Sequence, residues 1–407
     1  MMDWTIAGDW LEFAVRWLHV ITAIAWIGSS FYFIALDLGL RRPADLPPGV
    51  TGEEWQVHGG GFYHVQKYAV APDRLPDHLT WFKWEAYATW LSGFALLILV
   101  YYVGAEMFLI DLDVAELPVW GAVAISVASL GLGWLVYDGL CRSRLGHSTT
   151  GLMLVLFGVL VAMSWFYAQV FSGRAALLHL GAFTATIMSA NVFAVIIPNQ
   201  KIVVADLRAG RVPAAEFGRV AKQRSLHNNY LTLPVLFLML STHYPLAFAT
   251  PHAWAIGALV FLMGVTIRHF FNTMHAARGM PWWTWGATAA IFAVIVWLSA
   301  LPGRPAPDPF AAAPATDRFA AAPGFDEVHG IVLGRCSMCH AAEPLWPGLA
   351  WAPGNVRLES AADVARHARA IYLQSGRSRA MPPGNLAFIT EDERAAIRAW
   401  YRAGMGG

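Results

Sequence analysis

The sequence predicts an all-α protein: an eight-helix transmembrane bundle over residues 1–301, a linker at 302–324 and a small helical domain over 325–407. Three observations predict it. Hydrophobic residues make up 57% of the 407-residue chain and charged residues only 14%, too few to solvate a soluble globule of this size. Mean hydropathy is +0.46, as expected of a membrane protein. Eight apolar stretches each reach the ~20 residues that a helix needs to cross a bilayer.

The stretches fall at 10–39, 85–104, 118–138, 151–172, 175–197, 229–247, 252–274 and 282–301. The first is longer than a bilayer requires, so it tilts or projects beyond the lipid. Nineteen tryptophans suit aromatic belts at both interfaces. A net charge of +1 gives no reason to expect nucleic-acid binding. No signal peptide is evident, because Asp3, Asp9 and Glu12 stand where a basic start would be.

Loop charges orient the bundle. The odd-numbered loops carry fourteen basic residues, among them Arg41, Arg42, Lys67, Arg74, Lys83, Arg142, Arg144, Lys201, Arg208 and Arg278. The even-numbered loops carry only Arg174, and the second holds Glu106, Asp111, Asp113 and Glu116. By the positive-inside rule the odd loops are cytoplasmic and both termini lie outside.

The linker holds six prolines and eight alanines and has no core-forming pattern. Extended as polyproline it reaches about 70 Å at ~3.1 Å per residue, so a tethered domain could swing between partners. In the last 83 residues a first helix ends near Arg335. A second follows Ser360 to near Gly376, with Ala361, Val364, Ala368 and Ile371 on one stripe. A third starts at Thr390, where Thr390 and Glu393 form a capping box, and runs to Gly404.

Between the first and second of these helices stands Cys336-Ser337-Met338-Cys339-His340. C-x-x-C-H is the attachment signature of a c-type haem: both thiols add to porphyrin vinyl groups and the histidine ligates iron. Met381, in Ala380-Met381-Pro382-Pro383-Gly384, is placed to be the sixth ligand, and a thioether opposite a histidine suits electron transfer. Half of a zinc site is the competing reading, but no second cysteine pair or His-x-x-x-His follows. Met338 is a packing residue, and the third cysteine, Cys141, stands alone. Three short helices around one haem make a small cytochrome c, whose thin core the porphyrin completes. Such attachment occurs outside the bacterial inner membrane, so motif and loop charges agree on a periplasmic C-terminus.

Polar residues within or beside the spans are the candidates for chemistry, because burying them costs free energy without a partner. Towards the cytoplasmic side lie His64, Lys83, Trp84 and Glu85, then His227, Asn228, Asn229 and Thr232, then Arg268, His269, Asn272 and His275. Lys83 and Arg268 read equally well as snorkelling interface residues. The density at His227-Asn228-Asn229 favours a pocket for a flat, nitrogen-rich heterocycle. Nearer the outer side, His19 sits about 14 Å below its helix end, where it could ligate a second, non-covalent haem b opposite His179 or His243. Each of these three histidines could equally be a hydrogen-bonded core residue.

Four stretches now carry a resemblance: Arg16-Trp17-Leu18-His19 with Ala25-Trp26-Ile27-Gly28, Gly59-Gly60-Gly61-Phe62-Tyr63-His64, Trp81-Phe82-Lys83-Trp84-Glu85, and His227 to Pro234. With the cytochrome motif after them, the chain resembles bacterial membrane-bound urate oxidase, the urate hydroxylase family, over essentially its whole length. The resemblance implies oxidation of urate to 5-hydroxyisourate, with electrons passed to cytochrome c rather than to oxygen. On that reading Lys83, Trp84, Arg268, Asn272 and His64 bind urate, while Glu85, His227, Asn228, Asn229 and Thr232 serve catalysis. The implied partners are urate, the lipid bilayer and a respiratory acceptor such as a cytochrome c or terminal oxidase. The rival reading is an electron-transfer subunit of a quinol dehydrogenase or oxidase with no substrate of its own. A cytoplasmic-side pocket would lie most of a ~30 Å bilayer from a periplasmic haem, so either haem b relays electrons or the substrate sits deeper.

Overall fold

A computed structural model describes residues 4–68, 75–248, 250–301, 325–347, 349 and 352–402. The expected linker at 302–324 and Arg74 lie outside the described residues. The described residues are 71% helix and 5% strand. Seven helices among the described residues are long and apolar enough to cross a membrane. They are α1 (Trp4–Gly39), α2 (Trp84–Tyr102), α3 (Val119–Arg142), α4 (Thr149–Val170), α5 (Gly173–Arg208), α7 (Ala253–His275) and α8 (Trp283–Ala300).

The expected sixth span occupies the C-terminal half of α6 (Ala215–Ser241), which is not among the seven. His227, Asn228 and Asn229 dilute its hydropathy. Yet Arg224, His227, Asn228, Asn229 and Thr232 are all buried, so α6 turns its polar side chains towards neighbouring helices. It packs against α5 and α7.

The fifth helix runs past the expected end at 197 to Arg208. A wide turn at Asn191–Ile196 comes just before Pro198, and such a turn removes the backbone hydrogen bond that a mid-helix proline would otherwise break. A second wide turn, Leu97–Tyr102, ends α2.

The all-α expectation is corrected by a hairpin between α1 and α2. Strands β1 (Val50–His58) and β2 (Gly61–Tyr68) pair antiparallel, with Trp55 opposite His64 and His58 opposite Gly61. The two-residue turn is Gly59-Gly60, both at positive φ (59° and 81°), the geometry that matches the twist of flanking strands. Aromatic and β-branched residues on either side of a Gly-Gly pair were the missed signal.

The bundle core gathers Leu97, Tyr101, Leu130, Tyr167, Phe171, Leu180, Phe183 and Leu238. The C-terminal part has its own core of Val328, Val332, Val364, Ile371, Ile397 and Trp400. Its helices are α9 (Phe325–Arg335), α10 (Ala361–Arg366) and α11 (Glu391–Trp400). Thr390 accepts from the Glu393 amide at 3.2 Å while Glu393 accepts from the Thr390 amide at 2.7 Å, so the expected capping box is present. Ser360 and Asp363 make another at α10. The expected second helix is broken at His367, continues as the single turn Ala368–Ile371 and ends in a wide turn at Tyr372–Gly376.

The two parts touch. Asn385 Nδ2 donates to Asp113 at 3.0 Å, and Arg377 donates to the Ala300 carbonyl at 2.6 Å. Gly384, at φ +55°, lies so close to the bundle that a Cβ there would stand 2.6 Å from the Ile110 carbonyl oxygen.

Candidate functional sites

A cavity of about 840 Å³ opens between the C-terminal helices and one end of the bundle. Cys336, Cys339, His340 and Met381 all line it. The turn that follows α9 delivers the first three: Cys336 N bonds Val332 O at 2.8 Å and His340 N bonds Cys336 O at 3.0 Å. His340 Nδ1 donates to the Val356 carbonyl at 2.8 Å, which fixes the ring and leaves Nε2 as the free ligating nitrogen. Burial pushes the Cys336 thiol up to about 12 and raises Cys339, so both are neutral at pH 7.

Arg394, only 3% exposed, holds the loop that carries Met381. Its Nη1 donates to the carbonyls of Ser375 (2.6 Å), Met381 (3.0 Å) and Ser378 (3.3 Å). Burial lowers Arg394 to about 10, which keeps it cationic at neutral pH. Two thiols, an oriented imidazole and a thioether around one cavity form a donor set that fits a covalently bound porphyrin. Phe108, Phe171, Arg174, Thr242 and Leu301 of the bundle close the same cavity. Among the described residues no three His, Cys, Asp or Glu side chains form a metal cage.

Helix α6 sends its polar run in two directions, since successive helical residues point about 100° apart. On one side His227 Nδ1 meets Tyr137 Oη at 2.7 Å, and Asn191 Nδ2 donates to Tyr137 (3.1 Å) and to Asn228 (3.0 Å). Arg224 pairs there with Asp138 at 2.7 Å. On the other side Asn229 Oδ1 accepts from Asn272 (3.0 Å) and from Arg268 Nε (3.3 Å), and Arg268 Nη2 donates to Asn272 at 3.0 Å.

Arg268 is 5% exposed and lies 4.1 Å from the Phe31 ring centre. No carboxylate lies within ion-pair distance of it among the described residues. Asn229 Nδ2, His227 Nε2 and His275 Nδ1 are buried without partners. The structure thus joins Asn229, Arg268 and Asn272 but separates them from His227 and Asn228.

The loop-one candidates lie elsewhere. His64 sits on β2, 2.7 Å from Glu53 and stacked on Trp55 at 4.2 Å. Lys83 stands over Trp84 at 5.3 Å, with Trp84 largely exposed and Glu85 half-buried in the first turn of α2. None of them bonds the α6 clusters.

A second cavity, of about 280 Å³, is a slot between α1, α2, α5 and α6. His19 and His243 both line it, and so do Asn228 and Thr232 at its other end. His19 Nδ1 lies 3.0 Å from Thr89 O and 3.1 Å from Ser92 Oγ. His179 is not part of the slot: fully buried, it spends Nε2 on Ser126 and Nδ1 on the Ala175 carbonyl, both at 2.8 Å. Tyr137, Asn191, Arg224 and Asp138 escaped sequence reasoning. Asn191, an amide in the middle of an apolar span, was the readable signal among them.

Apolar helices around buried amides, imidazoles and guanidinium groups, with two thiols lining the larger cavity, define the class as a mostly helical protein. Residues 5–299 match the family model described as Urate oxidase N-terminal, and the chain belongs to that family. No curated protein and no solved structure matches the chain.

Proposed function

We propose that this chain is a membrane-bound urate oxidase that converts urate to 5-hydroxyisourate in the bundle and delivers the electrons to a covalent haem c at Cys336 and Cys339. The half-reaction takes urate and water to 5-hydroxyisourate, two protons and two electrons. Family membership supports the substrate class. The observation that carries the site is Arg268, a buried guanidinium with amide partners and no carboxylate. A buried unpaired cation is costly, and a bound monoanion such as urate would offset that cost.

The urate ring edge alternates carbonyl acceptors and N–H donors. Arg268 and the spare Asn229 Nδ2 would serve the acceptors, and Asn272 would hold Arg268 in register. His227 keeps an unpartnered Nε2, in the tautomer whose Nδ1–H donates to Tyr137, and because it faces away from Arg268 and Asn229 it would accept a proton through an intervening water. Lys83, Trp84, Glu85 and His64 then act at the approach to the bundle rather than at the ring.

His340 Nε2 and the Met381 thioether would hold the iron of a haem c, which when bound would supply one-electron chemistry. His340 is oriented for this by Val356, and Met381 is held by Arg394. Loop charges favour a multi-pass bacterial inner-membrane protein with periplasmic termini, and a respiratory cytochrome c or terminal oxidase would take the electrons onward. The test is anaerobic addition of urate to purified protein while the haem c absorbance is followed. Reduction by urate is expected, with Arg268→Gln needing roughly 10- to 100-fold more urate while its haem spectrum stays intact. A haem c that urate leaves oxidised would overturn the proposal.

A further inference from the structure

We infer that the slot beside α1 is a site for a second, non-covalent haem of the b type, ligated by His19 and His243 and anchored by Arg16, Tyr101 and Arg174. Four observations meet there. The first is the imidazole. His19 commits Nδ1 to Thr89 O and Ser92 Oγ, which orients the ring and leaves Nε2 for iron, the arrangement usual for a ligating histidine. Gly93 makes room for it, because a Cβ at that position would stand 2.8 Å from His19 Cε1.

The second is the shape of the walls. Along α1 the slot extends from Arg16 to Ser30, about 21 Å at ~1.5 Å per residue. Its sides are apolar or small, including Ala23, Gly93, Gly181 and Ala182, with Trp90 and Phe94 stacked at 5.2 Å. Such walls suit a flat macrocycle better than a polar metabolite.

The third is a group of unspent polar atoms where a porphyrin would carry its two carboxylates. Tyr101, 4% exposed, buries its hydroxyl without a partner, and Arg174 Nε is likewise unpartnered. Both line the slot together with Arg16, which also pairs with Glu12. Two guanidinium groups and a phenol are the donors that propionates require.

The fourth is position. Arg174 and Thr242 line this slot and the larger cavity that holds Cys336, while Asn228 and Thr232 line the slot's far end beside Asn229. Ala253 borders the larger cavity, and Arg268 lies fifteen residues further along α7, about 22 Å at ~1.5 Å per residue. The slot divides that gap. Each electron leaving the substrate would reduce the slot group, which is reoxidised as the haem c is reduced, and the haem c is reoxidised by the outside acceptor.

The position argument rests on the urate reading, the other three do not, and the test keeps the two apart. Full-length protein is purified and extracted with acidified acetone, which removes haem b but not the thioether-bound haem. One extractable haem b for each covalent haem is expected in the native protein. Loss of that haem in His19→Ala, with the covalent haem retained, would assign the ligand; Gly93→Ala should reproduce the loss without removing the imidazole. His243→Ala should convert a low-spin spectrum to high-spin. Native protein with no extractable haem, a quinone in the extract instead, or a full haem b complement in His19→Ala would overturn the inference. Haem b that is present but not reduced by urate would leave the slot assignment standing and sink the urate route instead.

Discussion

The bundle and the C-terminal domain treat their buried polar groups differently. In the bundle, side chains satisfy one another across helices: Tyr137 with His227, Asn191 with Asn228, Arg224 with Asp138. In the C-terminal domain the polar groups grip backbone instead, Arg394 three carbonyls and His340 one, and the reactive atoms face an open cavity. The difference teaches that depth of burial does not mark a ligand site. His179 is the most buried histidine and has no free nitrogen, whereas half-buried His19 has one and faces a slot. Leftover hydrogen-bonding capacity is the better guide.

The largest effect should come from Cys336→Ala combined with Cys339→Ala, which removes both thiols that line the cavity. Complete loss of haem staining on a denaturing gel is expected, with the bundle still extracted as a folded protein by size-exclusion chromatography. Retained covalent haem would break the contrast between the two regions at its root.

Next come the two buried arginines. Arg224→Gln removes the buried partner of Asp138, which keeps Arg142 on its other oxygen, and should lower stability by about 1–3 kcal/mol, seen as a fall in detergent-solubilised melting temperature. Arg268→Gln strands no carboxylate, so its loss should appear in substrate affinity. Removing a charge-assisted bond worth about 1.5–3 kcal/mol would raise the KM for urate roughly 10- to 100-fold. Equal melting penalties for the two variants, with KM unmoved, would erase the distinction between the pair and the unpaired cation.

His179→Ala sharpens the ligand argument. It leaves Ser126 without its imidazole partner and should cost about 1–3 kcal/mol in stability without changing any haem absorbance. A shifted haem spectrum would contradict its structural role.

Gly384→Ala probes the contact between the regions. An L-residue in this left-handed backbone costs about 1–2 kcal/mol, and its Cβ would also press on Ile110 O. Faster limited proteolysis between the two parts is the expected readout.

The smallest effects concern caps and surface pairs. Thr390→Ala should cost about 1 kcal/mol in the C-terminal domain, measured by its thermal transition. Glu53 is held below the ordinary carboxylate range by the hydrogen bond from His64 and then by Gln66. Its folded-state pKa is therefore depressed, so the contribution is present above about pH 4.5 and fades as pH falls through the lower folded value. Hairpin amide exchange should quicken only in that acid window.

Local signals were readable wherever the chemistry is contiguous. Cys336, Cys339 and His340 lie within one helical turn, so their spacing alone brings them to one cavity, and Thr390 and Glu393 meet by helix periodicity. Long apolar runs located seven of the eight expected spans, most to within a few residues, although α1 starts earlier and α5 runs on because a wide turn lets Pro198 stay inside the helix. The sixth expected span falls inside the longer, more polar α6. The β hairpin was hidden because its strands sit in a charged loop where helices dominated the reading.

What the amino-acid order determined by itself was the helical class, the break in composition at 302–324 and the thiol–imidazole motif, because each depends on neighbours in the chain. Only the tertiary structure decided which of the scattered histidines and amides meet. A helix distributes consecutive residues around its axis, so His227 and Asn229 face different partners although only one residue separates them. Whether a nitrogen is spent or spare, as for His179 and His19, is set by the helices packed against it and by nothing local.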